Sequence, residues 1–557
     1  MKKLLAFCMA AALALPGCIK VDNSLGQGLV DKSLLFDTYT VTFDLEQTRL
    51  RMASDLSGFS DTRLAIGAIR DEAFGLSTRE CAFPLIPALD TLDLGTNPQV
   101  TAFSLYFEAD SVSCADDNQQ RILQNLRVTE LLEPLDIHKR DAMRELRHGT
   151  QLITRGMPVY NGSGPLTFEL TKEYGQRYVD LIKSFGGILK DRDSEDGVDH
   201  YEDFVAALPG IYIETEQPEG LGGRINLFDL SCLSVSNNYY YRNNNVAVIE
   251  FTSTWNGVQK DSSFLLIPGE TEFVHESEYV SNNQKFDQYV FNRTTHATSD
   301  CDPTDAILVE GGCGLKPVIQ ARELQGKTRL AILDKGGDPD EAIIVKASII
   351  LPYEMPADFQ EMKYYPSVLS PTVRTKGTDD EGNEYYSFAG LTDASVSTEN
   401  QGDIDRSNLV YSPDISYHLQ ELLTKDLDAD ENAAQYDIWL LTIHTEKVAT
   451  ASGNSADDAY YQQLLYANYY NSLYGGYGGY GYGYGGYGYG GYGGYGNYGY
   501  SNYYSYMMLA QYMAAQNQQS YSYTTELDKD RYYRAILNGP AAERHPQFRI
   551  TFAIPKD

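Results

Sequence analysis

Val100-Thr101-Ala102-Phe103-Ser104-Leu105-Tyr106-Phe107 sets the fold class of this chain. Phe103, Leu105 and Phe107 recur at every second position, with Ser104 and Tyr106 between them. A period of two places one set on a core and the other towards solvent, as in an antiparallel sheet. The same alternation appears at Tyr39, Val41, Phe43 and Leu45, and again at Phe548, Ile550, Phe552 and Ile554. Helical periodicity is confined to a few places. One is Leu170 to Phe185. Another is Ile415 to Leu427, where Leu419, Leu422 and Leu423 share a side. Ser412 there suits a cap, Pro413 a first turn and Asp414 the positive helix end.

The elements come in the same order twice. The first half runs from Gly75 through strands at Ala82 to Ile86 and up to Phe107, then the helix, then Gly210 to Thr215 and Gly223 to Phe228. The second runs from Gly314 through Val318 and Ile319, Ile343 to Leu351, the second helix, Tyr436 to Ile443, Tyr532 to Leu537 and Gln547 to Ile554. This duplication of pattern predicts a mainly β chain of two tandem antiparallel β-sandwiches, jelly-roll-like, each with a short helix. The first domain is expected over 31–270 and the second over 271–448 with 526–557. An insertion at 449–525 interrupts the second. From Tyr474 to Tyr500 it holds only Gly, Tyr and one Asn. With no aliphatic side chain to bury, it is expected to be disordered. Its rings suit stacking on rings, sugars or peptide planes; the plainer reading is a surface loop.

At the other end, Met1-Lys2-Lys3 precedes an apolar run from Leu4, and Leu15-Pro16-Gly17-Cys18 closes it. The run is about 12 residues, short of the roughly 20 of a spanning helix. This is the form of a secretion signal (1–17) cut before Cys18, which would then carry lipid; an ordinary signal leaving Cys18 as a thiol is the alternative. Residues 18–30 read as a flexible tether. The chain has 44 Lys and Arg against 77 Asp and Glu, a net charge of −33, and loss of Lys2 and Lys3 takes it to −35. Such charge repels phosphate backbones and argues against a nucleic-acid partner. Attachment to a membrane then falls to the N-terminal lipid.

Of seven cysteines, Cys81, Cys114, Cys232, Cys301 and Cys313 remain in the mature body. Cys301 and Cys313 flank a short irregular stretch and are the expected disulfide; Cys81 with Cys114 is a second pairing. No Cys-x-x-Cys occurs, so neither a redox dithiol nor a structural zinc is indicated. Asp191, Asp193, Glu195 and Asp199 form the candidate calcium site, since closely spaced carboxylates suit that ion; the alternative is a solvated acidic loop. No other cofactor is indicated. His275-Glu276 has Tyr279 where a zinc protease needs histidine. Gly326-Lys327-Thr328 ends like a phosphate loop, but Ala321 stands where its first glycine belongs.

Several stretches in combination resemble an uncharacterised domain family of Bacteroidota outer-membrane lipoproteins. They are Leu25-Gly26 after the lipid cysteine, Gly67 to Gly75, Leu208 to Ile213, Asn237 to Tyr241, Val345 to Ile349, Tyr411 to Leu423, Arg534 to Gly539 and Phe548 to Thr551. The resemblance spans nearly all of the mature chain. It implies an outer-membrane lipoprotein facing the periplasm or the cell surface, and brings no catalytic residue. The tyrosine-glycine insertion is not typical of that family. The sequence therefore points to a non-enzymatic envelope lipoprotein that binds a protein partner or acts as a structural accessory. A glycan-binding lipoprotein and a carboxylate-based hydrolase are the alternatives.

Overall fold

The computed structural model describes residues 36–556 other than 115, 191–196, 231–234, 237–244, 275–282, 288, 379–381, 394–400, 430–432 and 451–519. The protein is mainly β, and its strand pairings are antiparallel. Two hydrophobic cores organise it. The first lies between a ten-stranded sheet and the five-stranded sheet that contains Thr96–Phe107. Phe83, Ile211 and Phe228 meet Phe103, Phe107, Ile249 and Phe251 there. The second lies between the sheet containing Gln547–Pro555 and the sheet containing Leu315–Ile319 and Ile438–Thr450. Ile349, Phe548 and Phe552 meet Ile319, Ile438 and Leu440.

The alternating stretches at the two ends of the chain are partners. Phe36–Asp44 pairs with Gln547–Pro555 so that Tyr39 lies opposite Phe552, Val41 opposite Ile550 and Phe43 opposite Phe548. The rings of Phe43 and Phe548 stack at 6.5 Å. Both sets of inward residues thus cover one core, and the register follows from the hydrophobic pattern.

Pairing departs from the expected domain boundaries in two places. Phe36–Asp44 and Arg49–Met52, expected in the first domain, belong to sheets of the second core. Val290–His296, expected in the second, pairs with Gly75–Phe83 of the first. Periodicity says that a strand is half-buried but not against which sheet, so a boundary drawn in chain order misassigns segments that cross over.

Among the described residues there are four α-helices: α1 (Lys172–Ser184), α2 (Tyr201–Ala207), α3 (Ala321–Asp334) and α4 (Ser416–Leu422). Helix α1 lies where periodicity placed it, and the Thr171 hydroxyl accepts from the Tyr174 N–H. Helix α4 is shorter than expected and is capped from elsewhere. The Asp393 carboxylate accepts from the Tyr417 and His418 N–H groups at 2.7 and 3.0 Å. Asp414 accepts from the Ser416 N–H at 3.0 Å. Helix α3 carries its buried side on Ala321, Leu324, Thr328, Ala331 and Ile332. Small and polar members in that stripe hide it from a hydrophobic count. No described helix is long and apolar enough to cross a membrane.

Phe548 is fully buried between the end strands and the second core. Phe548→Ala is expected to cost about 3–5 kcal/mol of stability, read as a lowered midpoint in urea titrations.

Candidate functional site

The two cores meet along a seam rich in buried charge. Its centre is the turn Glu310-Gly311-Gly312-Cys313-Gly314. The Lys316 ammonium is fully buried and donates to the carbonyls of Glu310, Gly312 (2.9 Å) and Gly314 (3.2 Å). A lysine without a carboxylate partner is thus satisfied by the turn it folds around. Burial pushes its ammonium down to about 8. The Gly311 N–H donates to the Tyr533 carbonyl at 2.9 Å. A Cβ on Gly311 would lie 2.4 Å from the Arg531 carbonyl oxygen, so the close approach of the two segments needs glycine.

Glu310 turns back into the same turn. Its carboxylate accepts from the Leu315 N–H (2.9 Å), from the Thr298 hydroxyl and from His296 Nδ1 (3.4 Å). Burial pushes that carboxyl up, but these hydrogen bonds outweigh burial and hold it below the usual carboxylate range. Burial pushes the His296 imidazole down, and the Cys313 thiol up to about 11. Arg79 donates through Nη1 to Ser77 Oγ (3.0 Å) and the Thr78 carbonyl (2.9 Å).

A second segment, Asp528 to Arg534, closes the seam. Asp528 accepts from Arg531 Nη1 (2.8 Å), the Arg531 N–H (3.0 Å) and the Tyr533 hydroxyl (3.0 Å). Burial pushes Asp528 up, but Arg531 and these bonds outweigh it and hold the group low. Asp530 accepts from Asn292 at 3.0 Å, and burial holds its carboxyl high. Asn292 also bonds the Arg63 carbonyl and the Ala65 N–H. Arg63 pairs with Asp110 at 2.6 Å. Arg534 pairs with Asp71 and lies 4.9 Å from the Tyr364 ring centre. Tyr364 and Tyr532 pack on Ala65, Ile69, Ile225 and Leu227 of the ten-stranded sheet.

A cleft of about 350 Å³ opens at the rim of this seam, lined by Asp55, Asp61, Arg63, Arg140, Tyr386 and Lys529 among others. Arg374 holds Asp55 through two bonds (2.6 and 3.1 Å) and lies over the Tyr386 ring at 3.7 Å. Aromatic faces beside carboxylates and cations suit a polar ligand with several hydroxyls or charges. A larger groove, about 450 Å³, crosses the outer face of the sheet at Ser104, Tyr106, Thr167 and Glu169. Glu169 is its single ionisable side chain apart from Tyr106, so it has less to offer chemically. Asp528 and Asp530, one held low and one high, have the opposed tuning of an acid and a base. Both line the cleft, but at 5 and 7% exposure each offers little surface there and is engaged with neighbours.

Among the described residues expected to carry chemistry, all lie away from the seam with one exception. Cys18, Asp191, Asp193, Glu195, His275 and Glu276 fall outside the described residues, as does the tyrosine-glycine insertion. Asp199 accepts from Lys190 Nζ (2.6 Å) and the Tyr201 N–H (3.0 Å), at the start of α2. Lys327 and Thr328 sit inside α3, paired with Glu323 and the Leu324 carbonyl. The exception is Cys313, and it corrects the expected disulfide. Cys301 and Cys313 are free thiols. Cys301 pairs through its backbone with Leu50, while the Cys313 carbonyl accepts from Ala53 on the opposite edge of the same strand. Three residues along a strand is about 10 Å, beyond the roughly 7 Å that a bridge tolerates. Cys81, of the second pairing, is also a free thiol, so that bridge is not formed either. Among the described residues no His, Cys, Asp and Glu gather as a metal-holding group.

No known protein family matches the chain, and neither a curated protein nor a solved structure is significantly similar to it.

The depressed Lys316 ammonium fixes a pH dependence. Above about pH 8 the folded protein has released a proton that the unfolded chain holds up to about 10.5. Stability gains from this group as pH rises through that window, since the unfolded state binds more protons there. Lys316→Met is expected to be destabilised by about 1–3 kcal/mol, from carbonyls left unpaired, and to lack that gain. Urea midpoints of both proteins between pH 7 and 10 check it; curves that run parallel throughout would exclude the assignment.

Proposed function

We propose that this chain is a lipid-anchored envelope protein of the outer membrane, non-enzymatic, acting as a protein-binding or structural accessory module. One observation carries the proposal: the stretch Met1–Cys18, with its charged start, short apolar run and terminal Gly17-Cys18. Lipid on the Cys18 sulfur, with further acyl chains, would hold a body of strongly negative charge against a membrane that its surface would otherwise avoid. Support comes from how the ionisable groups of the seam are used. Glu310, Lys316, Asp528 and Arg531 are bound to one another or to backbone. Groups arranged in that way hold two cores together and leave little for turnover.

Expression in a host with lipoprotein processing tests the proposal. The mature N-terminus is expected to be a lipid-modified Cys18, and Cys18→Ser is expected to move most of the protein from the membrane to the soluble fraction. Mass spectrometry finding residue 18 with an unmodified thiol would overturn it.

The cleft favours glycan binding as a second reading. Tyr386 is 40% exposed there, beside Asp55, Asp61 and Arg140, a combination that suits a sugar face and its hydroxyls. Under this reading the protein is retarded on a polysaccharide affinity gel and Tyr386→Ala abolishes the retardation. Equal migration of the two proteins would remove it.

A further inference from the structure

The seam contains a buried arginine that is hydrogen-bonded at one nitrogen only, with Glu310 and Asp530 acting on its charge from beyond ion-pair contact. Arg79 is 1% exposed. Its Nη1 is satisfied, but Nε and Nη2 have no hydrogen-bond acceptor. It makes no ion pair with any described carboxylate. The Tyr532 hydroxyl and His296 Nε2 are also buried and orphaned. These groups are neighbours. Arg79 lies opposite Thr294, and Ser77 opposite His296, on adjacent strands, so Arg79 and His296 are diagonal neighbours on one face. Tyr532 follows Arg531, whose carbonyl abuts Gly311, while Arg79 Nη2 would lie 2.9 Å from a Cβ on Gly312. Arg79 and Tyr532 are each within electrostatic reach of the other.

Each orphaned buried donor costs about 1–3 kcal/mol, and an unpaired buried charge costs more. A protein with a net stability of roughly 5–15 kcal/mol does not carry such a cluster without a compensating partner. Charge decides what that partner is. Arg63 is paired with Asp110 and Arg531 with Asp528. That leaves Arg79, Lys316 and Lys529 against Glu310 and Asp530, and burial draws Asp530 towards its neutral form. The locale is therefore positive, within a chain of net charge −33. Water would satisfy the donors and leave the charge. A small anion does both.

We propose that Arg79 Nε and Nη2, with the Tyr532 hydroxyl, form an internal site for a small monovalent anion of the halide class, buried where the two cores meet. His296 is not one of its donors. Burial keeps the ring neutral and Nδ1–H is directed to Glu310, so Nε2 presents a lone pair. The anion joins Gly75–Phe83 of the first core to the turn at 311–314 and to Tyr532 of the second, as a neutralising link.

Bromide is the probe. Crystals of the whole mature chain grown in sodium bromide are expected to show an anomalous peak within hydrogen-bond reach of Arg79 and Tyr532. In solution, replacing gluconate by chloride at constant ionic strength is expected to raise the unfolding midpoint by about 2 °C, saturably. Arg79→Gln is expected to abolish that response. Tyr532→Phe, the milder change should the arginine variant not fold, is expected to shift the half-effective chloride concentration upward about tenfold. Density without anomalous signal at Arg79, bromide confined to the surface, or a response to chloride that Tyr532→Phe leaves unchanged would each overturn the proposal.

Discussion

A single ammonium group ties this structure together. Burying Lys316 away from water costs several kcal/mol unless every N–H is engaged and the charge is offset. Three carbonyls of one turn, at Glu310, Gly312 and Gly314, meet that demand. They can converge only if the chain doubles back tightly, and glycine at three of five positions permits it. The two strands that leave the turn then part company. Ala306–Glu310 pairs with Arg534–Asn538, while Leu315–Ile319 enters the sheet with Arg49–Met52 and Ile438–Thr450. The turn is thus a corner of the second core and, through Glu310, His296 and Arg79, the place where that core meets the first.

The wiring of the chain has the same consequence on a larger scale. Neither core is built from one continuous half. The first strand closes against the last, with Thr40 and Thr551 in hydrogen-bond contact 511 positions apart. Val290–His296 crosses to the ten-stranded sheet. Such distant pairings carry a large loop-closure cost before they return any contact energy. Each core needs segments that the other core's sequence region supplies, so the two are expected to form as one cooperative body.

Charge is partitioned to suit that body. The exterior is strongly acidic, which favours solubility and discourages polyanions. Within the seam, most cations and anions are held by backbone groups as well as by one another. This division accords with a protein whose working surface is its outside and whose ionisable interior is architectural.

What was legible in the sequence was what depends on local periodicity. Phe103, Leu105 and Phe107 announced a half-buried strand, as did Tyr39 to Leu45 and Phe548 to Ile554, because alternation reports burial directly. Helix α1 was legible for the same reason, and α3 was not, since Thr328 and Ala331 dilute its stripe. The mainly β, antiparallel class follows from those strands alone. Which strand pairs with which was decided only in three dimensions, because an alternating segment fits any sheet with a free edge and a matching face. The Cys301–Cys313 expectation failed for that reason: closeness in sequence says nothing about opposite edges of an intervening strand. The seam was invisible for a further one. Arg79, Glu310, Lys316 and Asp530 carry the residue types of a solvated surface, and a charge can be buried only once its partners, drawn from strands hundreds of residues apart, have been brought around it.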